Sequence, residues 1–307
     1  MLVKDDPEGP LPDVTHFTDQ TRATIERLRR RDHDRIGELG RSNLLLHEQV
    51  RPLAVVLFHG MAASPAQFVR FAHELHEHGH NVIVPRLPRH GHVNRLSTAL
   101  AYLTASDLRD FVRDNVELAG GLGERVVVAG FSLGGLLATW AAQKLQIERA
   151  VAIAPFFGVS WLPGRFMAGF ARLLLTMPNQ FHWWNPILRE NQLPIHGYPR
   201  YSTHAVAQSY LLAREISDHA HRGLCARELI FVTNQRETAV NNRAVWRVER
   251  RMRAGGAEAL HHVVLSGIPF SHDIIEPQRH PAIAERVFPT LLGLIEGGHG
   301  WRAANPS

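Results

Sequence analysis

One serine in this chain stands where a serine could act as a nucleophile. Gly130-Phe131-Ser132-Leu133-Gly134 follows an apolar stretch, Arg125 to Ala129, and opens a helical segment that runs to about Leu145. Gly-x-Ser-x-Gly at such a junction is a nucleophile elbow. The sharp turn exposes the hydroxyl above the sheet. The glycines let neighbouring backbones approach without a Cβ clash, and the helix N-terminus beneath favours developing negative charge. The bland alternative is a glycine-rich packing turn with an incidental serine. A serine hydroxyl is also a weak nucleophile at neutral pH: it needs a general base, and the base needs an orienting carboxylate. The chain holds 20 histidines, so residue type does not choose the base and position must.

The elements that would position these groups can be read along the chain. Pro52 to Phe58 is an unbroken apolar run, which suits a strand buried on both faces of a parallel sheet. Asn43 to Glu48, Asn81 to Pro85, Arg125 to Ala129, Arg149 to Ala154, Glu228 to Thr233 and His261 to Leu265 read as further strands. Helical periodicity is expected at residues 21–38, Pro65 to His78, Thr104 to Leu118, Ser132 to Leu145, Ala239 to Arg253 and Ala282 to Ile295, several of them ended by glycine. Alternation at this spacing predicts an α/β fold, a doubly wound and mostly parallel sheet. From about Phe157 to Ser217 the rhythm breaks. No clear strand is expected there, but aromatics are dense, and the segment reads as a helical insertion.

Composition narrows the field. The chain has 307 residues, of which 45% are hydrophobic and 21% charged, as in ordinary globular proteins. Cys225 is the one cysteine, which excludes an intrachain disulfide framework. The most apolar stretch, Trp161 to Met177, is interrupted by Arg165 and Arg172, so no spanning helix is expected. MLVKDDPEGP lacks the basic start and apolar core of a secretory signal, and a cytoplasmic location is the expectation. The net charge is +5. Arginines cluster at Arg27, Arg29, Arg30 and Arg31 and again at Arg247, Arg250, Arg251 and Arg253, but acids intervene. Solvated helix faces are expected there, and no nucleic-acid partner.

Four features together resemble the α/β-hydrolase family, over about Asn43 to Ile295. They are Phe58-His59-Gly60-Met61, Pro85-Arg-Leu-Pro-Arg-His90-Gly91, the elbow at Ser132 and the aromatic insertion. The layout looks most like the bacterial carboxylesterase and monoacylglycerol-lipase branch. Arg89 departs from the pattern, since the family usually has glycine there. The resemblance implies a chain order of serine, acid, histidine. His272, in the loop after the strand His261 to Leu265, is then the base. His261 and His262 are expected to be packing or edge residues and His280 a helix lead-in. The acid should follow the strand Glu228 to Thr233. Glu237 to Val240 matches the family's Asp-x-x-Val with glutamate in place of aspartate. Asp218 is a distant second, and Asp273 adjoins the histidine too closely to curl back. The resemblance also implies an oxyanion hole from the backbone N–H groups of Met61 and Leu133.

The implied organisation is an N-terminal extension (1–40, loose then helical), an α/β-hydrolase core (41–156 and 218–307) and a helical cap insertion (157–217). The expected activity is a serine esterase or lipase acting on carboxylic esters with an apolar acyl chain, through an acyl-enzyme. An amidase, peptidase or acyltransferase on the same residues, or a ligand-binding relative without turnover, are the alternatives. Phe131, Phe166, Phe170, Trp183 and Trp184 are candidate substrate-binding residues. Phe166, Phe170, Leu173, Leu174 and Met177 share helical spacing, and their face is expected to pack on the core, with part of it lining an acyl pocket. Membrane-surface contact through this helix is conceivable but not expected. His73, His76, His78 and His80 crowd one helix end without a matching carboxylate or Cys set, so no metal is expected, nor any cofactor. A small ester or lipid substrate is the expected partner. Oligomeric state is not legible.

Overall fold

The apolar runs of the sequence become the strands of the computed structural model, which describes residues 14–15, 17–32, 35–160, 164–269 and 271–297. The strands are β1 (Asn43–Leu45), β2 (Arg51–Phe58), β3 (Asn81–Val84), β4 (Gly123–Phe131), β5 (Arg149–Ile153), β6 (Phe181–Trp183), β7 (Arg200–Ser202), β8 (Glu228–Asn234) and β9 (Leu260–Leu265). The α-helices are α1 (Asp19–Arg30), α2 (Val69–Glu77), α3 (Ala105–Gly120), α4 (Leu133–Lys144), α5 (Gly164–Thr176), α6 (Thr203–Asp218), α7 (Asn242–Ala254) and α8 (Pro281–Glu296). The expectations for residues 1–13, Trp161 and 298–307 lie outside the described residues.

Among the described residues, seven strands form one sheet in the order β1-β3-β2-β4-β5-β8-β9. Only β1, on the edge, runs antiparallel to its neighbour; the other pairings are parallel. Leu53 to Phe58 of β2 are all buried. Successive strand residues point to opposite faces, so both faces must be covered. Helices α3 and α4 pack on β2 and β4, while α2 and α8 meet through Phe71 and Phe288, ring centroids 5.0 Å apart. Helix α4 is apolar all round and buried from Leu133 to Gln143, as a helix enclosed by other elements must be. Local signals set the ends. Thr104 and Asp107 form a capping box at α3, and Asn241 caps α7, which stops at Gly255. Among the described residues no helix is long and apolar enough to cross a membrane.

The chain leaves β2 for β3 on one side, then returns to β4 on the other. In a doubly wound sheet the crevice at such a reversal, outside the carboxyl ends of the strands, is where ligands bind. Phe58 is registered against Gly130. The residues after β2 are thereby set beside the elbow after β4.

The segment between β5 and β8 corrects two expectations. Residues 157–217 contain strands: β6 and β7 pair antiparallel, with His182 opposite Tyr201. Each is three residues long, too short to show alternation, and sixteen residues separate them. Secondly, α5 does not bury the face expected to pack. Met167 and Ala171 are buried, whereas Phe166, Leu173 and Met177 are 53%, 55% and 43% exposed. A helix with apolar residues on nearly every side carries no unique inward face, and contacts with α6 choose it. Helix α6, the last element of the expected insertion, lies on the core helices. Trp140 Nε1 donates to Glu215 (3.1 Å), and Gln143 Nε2 donates to the Ile216 carbonyl (3.0 Å).

Candidate active site

Ser132 sits between β4 and α4 with φ 56° and ψ −110°. This is a conformation that a side chain adopts only when its surroundings hold it, at about 1–3 kcal/mol. The surroundings are visible. Ser132 N–H donates to the Ile153 carbonyl (2.9 Å), and the Ser132 carbonyl accepts from Phe156 N–H (3.1 Å). The glycines permit the fit. A Cβ on Gly134 would overlap the carbonyl oxygen of Phe58, and one on Gly130 the carbonyl of Gly134.

The Ser132 hydroxyl lies 2.9 Å from His272 Nε2, and His272 Nδ1 lies 2.9 Å from Glu237 Oε1. An ionised carboxylate only accepts, so Nδ1 carries the hydrogen and the Nε2 lone pair faces the hydroxyl. Glu237 Oε1 also accepts the N–H groups of Thr238 (2.8 Å), Ala239 (2.7 Å) and Val240 (3.2 Å). Burial would raise the Glu237 carboxyl. The hydrogen bond and charge of His272, with the Ala239 and Val240 N–H groups, outweigh it and hold the group below the usual carboxylate range. The glutamate side chain is 2% exposed. Asp218 instead pairs with Arg214 on the surface. Asp273, pushed upward by burial and by Glu276, turns to Arg279 (3.3 Å).

Leu133 opens α4, so its N–H has no partner within the helix. Met61 follows Gly60, whose carbonyl accepts from His59 Nδ1 (2.9 Å). That carbonyl belongs to the same peptide plane as the Met61 N–H, so the imidazole orients the donor. Leu87 N–H donates to His59 Nε2 (3.1 Å). His90 repeats the pattern one residue on: Ala62 N–H donates to its Nε2 (3.1 Å), and its Nδ1 donates to the Pro88 carbonyl (2.8 Å). Each ring gives one hydrogen and accepts one, the arrangement of a neutral imidazole. Burial, reinforced by His90, holds His59 well below the usual imidazole range. Burial lowers His90 to about 4.

Several residues that serve the site carried no chemical signal in the sequence. Asn234, at the end of β8, donates to the carbonyl of Ser271 (2.9 Å) and so holds the His272 loop. Gln67 accepts the Gly60 N–H (2.9 Å) and donates to Asp273 (3.4 Å). Arg89 adopts φ 68°, which accounts for the usual glycine at that position. Of the aromatic candidates, Phe131 is buried and its ring lies 4.8 Å from that of His272. Trp184 is 45% exposed and its ring lies tilted against that of Tyr201, centroids 4.5 Å apart. Phe170 and Trp183 are half-buried. His78 and His80 both contact Glu296, and His76 stacks on His47. His262 bridges Thr233 and Glu249, and His280 precedes α8.

The arrangement can polarise a hydroxyl, take its proton and hold the resulting imidazolium against a carboxylate. No curated protein sequence matches this chain. Solved structures with a similar fold include one from the metagenome-derived lipolytic enzymes LipS and LipT (TM-score 0.64, 15% identity, covering 84% of this chain and 98% of that one). A monoacylglycerol lipase from Paleococcus ferrophilus is similar at TM-score 0.63 and 16% identity, covering 83% and 98%. A soluble variant of monoglyceride lipase from Saccharomyces cerevisiae is similar at 0.64 and 14%, covering 83% and 90%. Residues 55–303 match the model of the alpha/beta hydrolase family, and with the parallel sheet and its strand order this places the chain in that family.

Proposed function

We propose that this protein is a serine hydrolase of carboxylic esters with an apolar acyl chain. The observation that carries the reading is the continuous line Ser132–His272–Glu237, with 2.9 Å at each step. Ser132 Oγ attacks the ester carbonyl carbon while His272 Nε2 takes its proton. The oxyanion is received by the N–H groups of Met61 and Leu133, one such donor contributing about 3–4 kcal/mol. The carbon–oxygen bond to the alcohol then breaks, and the alcohol leaves with the proton from His272. Water attacks the acyl-enzyme by the same route and restores the serine. Glu237 holds the ring in the correct tautomer and balances the imidazolium.

In this reading residues 157–217 are a cap over the core of residues 41–156 and 218–307. Phe131 and cap aromatics among Phe166, Phe170, Trp183 and Trp184 supply the apolar wall. Glyceride or simple alkyl esters suit such a wall. The single thiol, Cys225, fits a cytoplasmic setting. The test is a fluorophosphonate probe followed by a chain-length series of p-nitrophenyl esters beside monoacylglycerols and an aminoacyl amide. Labelling at Ser132 with turnover of the esters is expected. A folded protein that does not label there would overturn the reading, and faster amide turnover would overturn its substrate class.

A further inference from the structure

A second serine, histidine and carboxylate meet away from the Ser132–His272–Glu237 line. His196, from the segment between β6 and β7, lies with Nδ1 3.0 Å from Ser64 Oγ and Nε2 2.8 Å from Glu276 Oε2. The His196 and Glu276 side chains are each 1% exposed, and Ser64 is fully buried. Ser64 follows the Met61 turn by three residues, and Glu276 follows His272 by four. The three groups therefore join the loop that presents Met61, the loop that presents His272, and the insertion.

The hydrogens can be assigned from the partners. Ser64 Oγ donates its one hydrogen to the Leu39 carbonyl (2.6 Å), which can only accept. Toward His196 it must accept, so Nδ1 carries a hydrogen. Nε2 and Glu276 Oε2 then need a further hydrogen between them, since two lone pairs at 2.8 Å would repel. The other carboxyl oxygen of Glu276 accepts Gln278 N–H (3.0 Å). The pair thus holds one proton in a site without water access. As a buried pair it contributes little net stability but is costly to leave half-made.

Neighbouring bonds run the same way. Ile195 N–H donates to Gln278 (3.1 Å), and Arg279 Nε donates to the Leu193 carbonyl (2.7 Å). Tyr198 N–H donates to the Ala62 carbonyl (2.6 Å). The insertion segment 193–198 is therefore tied to both loops, and His196 is its one ionisable side chain bonded to each.

We infer that His196, Glu276 and Ser64 form a buried clamp that sets the distance between the Met61 donor and the His272 base. Ser64 is no second nucleophile, because its hydrogen is committed to Leu39 and its oxygen is enclosed. The inference rests on the serine-hydrolase reading for its effect on rate, but not for its effect on the loops. It concerns positioning residues. Displacing catalytic groups by about 1 Å costs on the order of 10²-fold in rate.

The test compares Glu276→Leu, which keeps bulk and removes the bond, with Glu276→Gln, whose amide can still donate to a neutral His196 Nε2. With folding checked by circular dichroism, E276L should lower kcat by about 10- to 100-fold with KM within about twofold. E276Q should restore most of the loss. Amide exchange in residues 60–66 and 271–279 should quicken in both loops of E276L and not in E276Q. If E276L does not fold, S64A reads the same link. Parental kcat and exchange in a folded E276L or S64A, or an E276Q as impaired as E276L, would overturn the clamp. The exchange measurement stands if the parent shows no turnover, and a parent that fails to label at Ser132 counts against the serine-hydrolase reading alone.

Discussion

Glu237→Gln separates the charge of the acid from its shape. A carboxamide oxygen at the position of Oε1 can keep the N–H groups of Thr238, Ala239 and Val240 and the Nδ1–H of His272. Four donors converge on that oxygen, so the amide nitrogen must take the place of Oε2, which is buried and without a hydrogen-bond partner among the described residues. The fold and the tautomer are retained and the negative charge is lost. The imidazolium that forms at His272 then has no counter-charge. Unit charges about 4 Å apart interact by about 4 kcal/mol at an effective dielectric constant of about 20. With the glutamate 2% exposed, water does little to screen them. At tenfold per 1.36 kcal/mol, the upper bound is about 10³-fold, and the amide dipole returns part of it. We expect kcat for a short p-nitrophenyl ester to fall by about 10²- to 10³-fold in a protein that still folds, with the urea midpoint lowered because the amide nitrogen is buried without an acceptor. A folded E237Q within tenfold of the parent would refute the electrostatic argument. Asp218→Asn is the companion control: its carboxylate is 60% exposed and paired with Arg214, so turnover should not change.

Three further outcomes follow from the same geometry. Ser132→Ala should abolish fluorophosphonate labelling and lower turnover by about 10⁴-fold or more while leaving the circular dichroism spectrum intact; retained labelling would place the nucleophile elsewhere. Gly134→Ala drives a Cβ into the Phe58 carbonyl, a backbone atom that cannot step aside. It should destabilise by more than about 4 kcal/mol or prevent soluble expression, and a parental urea midpoint would contradict the close approach. For His90, burial lowers the ring from 6.5 to about 4. Between those values the unfolded chain binds more protons than the native one, so this stability is complete above pH 6.5 and is lost as pH falls toward 4. The loss is about 2 kcal/mol by pH 5 and about 3 in full. Urea midpoints at pH 7 and pH 5 should show at least this drop, and His90→Asn should reduce it by about that amount, leaving the part of the same sign that buried His59 supplies; an equal drop in the variant would assign it elsewhere.

The sequence was informative where a signal depends on near neighbours. The run Pro52 to Phe58 read as a strand covered on both faces, and Leu53 to Phe58 are buried at every position. Glycines at 130 and 134 announced the crossing of two backbones at Ser132. The three-residue strands β6 and β7 are too short to alternate visibly. The inward face of α5 could not be read, because Phe166 and Met167 are equally apolar and only packing buries the second.

By its order of strands, glycines and apolar runs, the sequence alone determined a doubly wound sheet with a serine at one strand's end. The resemblance pointed to His272 and Glu237 as the partners of Ser132. The contacts themselves, across 140 residues from Ser132 to His272 and 35 from Glu237 to His272, belong to the tertiary structure. That His196 meets Glu276 across 80 residues only the tertiary structure decided. The reason is physical. Periodicity records the environment of each residue within a few positions, whereas contact between remote side chains depends on strand order and register. The protonation of a buried histidine depends on partners that arrive only when the chain has closed.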